Sequence, residues 1–215
     1  MKGKTVLLAL LLLLISVSLA EALPQYYVND TTGRSGNGGP FQILGFTDPS
    51  VNFQTFCVEE KEYISLGGKY YGSIDPLVYY SSGPNSLSSA AIDSHTAILY
   101  NYFLDHQSTL SDGDKTLIQN AIWAYQGQLQ YGTPDVSNNS YYNDAKAGTL
   151  QASNRTIMAL NLWTVDVGNG PYAGNQGDYD ARAQSMLIAT PEPGILILLC
   201  LGLVGVAGIR RKVIN

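Results

Sequence analysis

Two residues in this chain could do covalent chemistry together: a cysteine with no partner and a glutamine in a helical setting. Cys57 stands in Phe56-Cys57-Val58-Glu59, and the only other cysteine, Cys200, lies inside an apolar C-terminal stretch. Such a stretch cannot bridge to a folded exported body, so an intramolecular disulfide is excluded, and a lone thiol in an oxidising compartment calls for an explanation. Three explanations stand. The thiol could be plain core, since cysteine is commonly buried. It could be the nucleophile of a hydrolase or transferase, with His95 or His106 as base, although neither histidine sits in a recognisable signature. Or it could bond to a glutamine, for which Ile118-Gln119-Asn120-Ala121-Ile122-Trp123 offers a candidate further along the chain.

Export is read from the ends. Lys2 and Lys4 precede an apolar run from Val6 to Val17, and Ala20-Glu21-Ala22 offers a small-x-small cleavage pattern. Residues 1–22 read as a signal peptide cut after Ala22, with Ala20 the alternative. At the other end, Ile195 to Ile209 is almost wholly apolar and Arg210-Arg211-Lys212 follows. At about 1.5 Å per residue this run is short for a hydrocarbon layer of about 30 Å, and extension back to Pro193 brings it within range. The basic cluster orients that end toward the cytoplasm. Pro191-Glu192-Pro193, the apolar helix and the basic tail together resemble the PEP-CTERM sorting signal of Gram-negative bacteria, over residues 190–215. That resemblance implies an inner-membrane stage, an exosortase-type processing protease, and delivery to the cell surface or extracellular matrix. The plain alternative is a C-terminal anchor that stays in place.

Residues 23–189 have the size of one domain, large enough to bury a core. Setting aside Lys2, Lys4, Arg210, Arg211, Lys212, Glu21 and Glu192 leaves 7 of 12 basic and 15 of 17 acidic residues, a net charge of −8. That balance argues against a nucleic-acid partner, whose phosphates need Lys and Arg. Tyrosines are often paired, as in Tyr26-Tyr27, Tyr70-Tyr71, Tyr79-Tyr80 and Tyr141-Tyr142. Strand and rim packing accounts for them, and a carbohydrate platform is the sharper alternative. Gly33 to Gly39 reads as a loop with no phosphate-cradle pattern. The histidines and the available cysteine have no zinc spacing, and Asp112-Gly113-Asp114 reads as a turn and helix cap rather than a calcium loop. No cofactor is expected.

The elements that must position Cys57 and Gln119 follow from patterning. Strands are expected over Phe41–Phe46 and Asn52–Ser65, with Cys57 mid-strand and a tight hairpin turn at Gly67-Gly68 into Lys69–Ile74. A helix capped by Ser88 or Ser89 carries Ile92, Ile98, Leu99, Tyr102 and Phe103. A second helix starts at Asp112 or Asp114 and runs to about Leu129, with Gln119 half covered at the border of its apolar stripe. A third spans Tyr141–Ala152, capped by Asn138 or Asn139, and strands follow over Met158–Val167 and Ser185–Ala189. The order reads as α+β: a β-sheet or sandwich domain with an inserted helical subdomain, flanked by the signal peptide and a C-terminal transmembrane helix.

Phe56-Cys57-Val58-Glu59 followed by Gln119-Asn120-Ala121-Ile122-Trp123 resembles the signature of the thioester (TQXA) domains of bacterial surface adhesins. The likeness is sharp only at those two places, and the best-known members stand on Gram-positive walls. It implies that Cys57 attacks the Gln119 carboxamide, expels ammonia and leaves an internal thioester. An amine or hydroxyl on a surface or matrix target would then open that bond and become covalently attached. On this reading the protein is a single-use acyl donor rather than a turnover enzyme. Phe56 and Trp123 are the expected shields against water.

Overall fold

The computed structural model describes residues 23–31, 38–60, 62, 64–83, 86–127, 135–164 and 182–190, and these form eight strands and three helices. In chain order they are β1 (Gln25–Asp30), β2 (Phe41–Gly45), β3 (Asn52–Thr55), β4 (Gly68–Asp75), β5 (Leu77–Gly83) and β6 (Ser86–Ala91). Then come α1 (Ser94–His106), α2 (Asp112–Gln126), α3 (Ser140–Ala147), β7 (Thr156–Trp163) and β8 (Arg182–Thr190). Six strands make one antiparallel sheet in the order β3-β2-β1-β4-β7-β8, while β5 and β6 pair as a separate ribbon.

The sheet curls until its two edge strands meet. Beyond β3 the chain lies against β8: the Leu187 N–H donates to the Phe56 carbonyl at 3.1 Å and the Val58 N–H to the Ser185 carbonyl at 2.9 Å. Between them Cys57 and Met186 form an isolated antiparallel bridge. The Thr55 hydroxyl adds a bond to the Leu187 carbonyl at 2.5 Å. Closing an edge this way satisfies backbone groups that would otherwise face solvent.

Strand alternation then sorts the side chains at the seam. Phe56 and Val58 point into a core shared with the helices, where they join Leu99, Phe103, Ile118 and Ile122. Cys57, between them, points the other way, among Val28, Phe41, Ile43, Leu160, Leu162 and Met186. This is the period-two geometry of extended chain. The tyrosine pairs of the strands divide by the same rule, with Tyr26 and Tyr70 buried and Tyr27 turned to an edge contact with Phe46.

An α+β fold with helices inserted between strands agrees with the sequence reading, but several details differ. Of the sheet or sandwich expected, the structure has one curled sheet plus a ribbon, because β3 and β8 close on each other instead of packing face to face. The strand expected over Asn52–Ser65 ends at Thr55, so Cys57 sits in an isolated bridge rather than mid-strand. Gly67 turns with φ of 75°, yet β4 pairs with β1 and β7, not with β3, so no hairpin forms there. β1 and the β5–β6 ribbon were not expected. Ser88 and Ser89 lie in β6 opposite Tyr80 and Tyr79, because the tyrosine-rich β5 needs a pairing partner. The cap of α1 is Asp93, whose carboxylate accepts from the His95 N–H at 2.8 Å. α2 is capped by Ser111 in a capping box with Asp114 and stops at Gly127, and α3 is capped by Asn139 and stops at Gly148, both glycines being left-handed. No helix among the described residues is long and apolar enough to cross a membrane. The signal peptide with Ala22 and the C-terminal segment with Pro191, Glu192, Pro193, Arg210, Arg211 and Lys212 lie outside the described residues.

Candidate functional site

Gln119 lies on the third turn of α2, and Trp123 is one turn further along the same face. Ile118, Ala121 and Ile122 bury the neighbouring face in the helical core, which fixes the rotation of the helix. That rotation sends Gln119 and Trp123 toward the cluster holding Cys57. Gln119 is not half covered as expected but 1% exposed, and Cys57 is 0% exposed.

The two side chains meet. The Cys57 thiol donates to Gln119 Oε1 with an Sγ–Oε1 distance of 3.3 Å. The amide nitrogen of Gln119 donates to the Cys57 carbonyl at 2.8 Å, and the Gly39 N–H donates to Gln119 Oε1 at 2.9 Å. Both ends of the carboxamide are therefore held, and its oxygen faces the sulfur. Buried amides are costly unless satisfied in this way.

Gly38 and Gly39 are glycine because Gln119 passes close by. A Cβ on Gly38 would stand 2.5 Å from Gln119 Cγ and 3.0 Å from Trp123 Cη2. One on Gly39 would stand 2.9 Å from the Thr55 carbonyl and 3.1 Å from the Phe56 ring. This pair escaped the sequence reading, which took Gly33–Gly39 as an undifferentiated loop; a glycine doublet directly before Pro40 was the available signal.

Electrostatics keep the sulfur neutral. Burial pushes the Cys57 thiol up to about 12, and the nearby Glu59 charge works in the same direction. The Trp123 indole and the Gly39 N–H oppose the shift by favouring the thiolate. Among the described residues the Trp123 N–H forms no hydrogen bond, so its effect on the sulfur is that of a nearby dipole. At neutral pH a thiol titrating near 12 is ionised to only about one part in 10⁵.

Of the two expected shields, Trp123 shares the cluster that holds Cys57, whereas Phe56 belongs to the helical core. Phe56 stacks edge-on against Phe103 with centroids 4.7 Å apart, and its ring also lies beside the Gly39 backbone. Both histidines are engaged on α1. His95 Nδ1 meets the Asp93 carboxylate at 3.1 Å and its ring stacks on Tyr125, while His106 Nδ1 meets the Tyr102 carbonyl at 2.9 Å. Neither is among the groups bearing on the ionisation of Cys57. Among the described residues there is no group of three or more His, Cys, Asp or Glu side chains placed to hold a metal ion.

A buried ion pair beside the site was also missed. Arg182 Nη1 donates to both carboxylate oxygens of Glu59, at 2.9 and 2.8 Å, and to the carbonyls of Tyr79 and Ala183. Its other terminal nitrogen pairs with Glu62. Burial raises Glu59 to about 7 despite the lowering pull of Arg182 and the Ser185 N–H. Glu59 thus ties the cysteine segment to β8, and its partner is too distant in sequence for spacing to reveal it.

Comparison with known families finds the PEP-CTERM protein-sorting motif over residues 189–212, beginning on the last two residues of β8. The motif marks an exported protein sorted to the cell surface and implies processing by an exosortase. It takes in Pro191-Glu192-Pro193 and the basic cluster but does not reach Cys57 or Gln119. No curated protein and no solved structure matches the chain.

Proposed function

We propose that the exported body carries an internal thioester between Cys57 and Gln119, and that this bond serves as a single-use acyl donor for covalent attachment at the cell surface or in the extracellular matrix. The observation that carries the reading is the buried approach of the Cys57 sulfur to Gln119 Oε1 at 3.3 Å. In the forming step the sulfur attacks Gln119 Cδ, the thiol proton passes to the departing nitrogen, and ammonia leaves. An S–C bond replaces an N–C bond, so the atoms balance without an outside base. Amides and thiols react slowly when free, and a fixed contact supplies an effective molarity of about 10⁵ M or more in good cases. In the opening step an amine or hydroxyl of the target takes the acyl carbon and its proton returns to the sulfur. Exclusion of water by Phe56 and Trp123 supports survival of the bond until then.

One further feature favours this reading over a cysteine hydrolase or transferase: both histidines are held elsewhere. Transient anchoring by the C-terminal apolar segment, followed by exosortase processing, would deliver the body to its site of use.

One observation favours a non-reactive structural reading. Gln126, two turns on from Gln119, grips backbone in the same manner, its amide nitrogen donating to the Ala91 carbonyl at 2.8 Å and its oxygen accepting from the Asp93 N–H at 3.1 Å. Gln119 could be a second such clasp that happens to lie beside a core cysteine. Intact mass decides between them. A thioester makes the exported protein about 17 Da lighter than its sequence, since one ammonia is lost. Cys57→Ala and Gln119→Ala should each abolish the deficit. A full-mass wild type with an inert thiol would establish the structural reading instead.

A further inference from the structure

Resting on the thioester reading, we infer that the Gly39 backbone N–H is the oxyanion donor of the site, stabilising the charge that develops on Gln119 Oε1 both when the thioester forms and when a target opens it. Attack at Gln119 Cδ moves electron density onto Oε1, whichever nucleophile arrives. A donor already 2.9 Å from that oxygen needs no reorganisation to receive it. The donor is main chain, so its position is set by the fold rather than by a rotamer.

The geometry gives Gly39 a lasting role that the other contact lacks. Before reaction the carboxamide is held by Gly39 at its oxygen and by the Cys57 carbonyl at its nitrogen. Ammonia takes the nitrogen away, and the second bond goes with it. The Gly39 contact stays on the carbonyl oxygen of the product. That contact keeps the acyl carbon polarised for the next nucleophile while the same N–H also favours negative charge on the Cys57 sulfur, the leaving group of the opening step. The two glycines are required for this approach. A methyl on Gly39 would meet the Thr55 carbonyl, the Phe56 ring and Oε1 itself, at 3.2 Å, and would push the N–H off the oxygen.

The test uses the full exported protein. Methylamine opens the thioester, and its rate is followed by mass in wild type and in Gly39→Ala. Loss of one oxyanion donor lowers such rates by about 10² to 10³-fold, and that drop in aminolysis at unchanged circular dichroism is the expected result. Should Gly39→Ala fail to fold, wild type decides alone. The infrared carbonyl band that disappears on methylamine treatment should lie below that of a thioester in a solvent without hydrogen-bond donors. A band at the unbonded position, or wild-type aminolysis in folded Gly39→Ala, overturns the role of Gly39 and leaves the thioester standing. A wild type without the mass deficit overturns the thioester itself, and this inference with it.

Discussion

Replacing Arg182 by methionine should cost far more than the loss of a surface charge, and the cost should depend on pH. Arg182 and Glu59 are 3% and 4% exposed at their side chains, and a single guanidinium nitrogen holds both carboxylate oxygens. Without it, the Glu59 carboxylate keeps the Ser185 N–H at 3.1 Å as its side-chain partner among the described residues, and wherever it ionises it is an uncompensated buried charge. Breaking a buried pair by removing one partner costs about 3–5 kcal/mol, against about 0–1 for an exposed pair. For a domain of this size that corresponds to a fall in melting temperature of about 6–20 °C. The sign with pH follows from Glu59. Its folded value is raised from 4.5 to about 7, so its contribution is fully present below pH 4.5 and is lost as pH rises through about 7. Arg182→Met removes the opposing pull and raises Glu59 further, so the variant loses more on the same climb. Melting of wild type and variant at pH 5 and pH 8 should therefore show the larger gap at pH 8. A gap below about 1 kcal/mol at pH 8, or one that does not change with pH, would mean that the Glu59–Arg182 pair behaves as an exposed one.

Other outcomes separate the site from its scaffold. Gln126→Ala orphans the Ala91 carbonyl and the Asp93 N–H and should cost about 1–3 kcal/mol in denaturant unfolding, with the mass deficit retained. Disappearance of the deficit there would mean that helix placement, not the local contact, controls the bond. Gln119→Ala leaves a free thiol that burial holds above its ordinary value of 9.0, so its stabilising effect is present below pH 9 and is lost as pH climbs beyond it. Compared with Cys57→Ala/Gln119→Ala, this variant should lose stability faster above pH 9; superimposable curves would contradict the shift. Ser111→Ala breaks the capping box of α2 and should cost about 0.5–2 kcal/mol by thermal melting, again without touching the deficit.

Local signals in the chain were legible where they were local in cause. The second helix could be placed because Asp112-Gly113-Asp114 reads as a turn and helix cap and Leu117 to Tyr125 carry a helical stripe. Cys57 and Gln119 could be picked out as types, and the fold brings them together across 62 residues. What could not be read was long-range pairing. Nothing near Asn52–Thr55 announces that the following residues will cross to β8, and nothing near Gly68 says that β4 will choose β1 and β7 as neighbours. The serines of β6 imitate a helix cap because hydroxyl residues suit both roles, and only the demand of β5 for a partner decides. Gln119 looked half exposed because a helical wheel shows its own helix and not the glycine strap that covers it. The Gly38–Gly39 approach and the Glu59–Arg182 pair were hidden for the same reason: each depends on a segment that sequence spacing does not connect.

The Cys57–Gln119 bond can be read from a peptic digest of the exported protein in acid, where a thioester survives, by tandem mass spectrometry. A thioester should give one species joining the Cys57 segment to the Gln119 segment, about 17 Da lighter than the two combined. Prior treatment with methylamine should dissolve that species into a free Cys57 peptide and a Gln119 peptide bearing the amine. Two separate peptides from untreated protein, with the thiol free and the carboxamide intact, would contradict it.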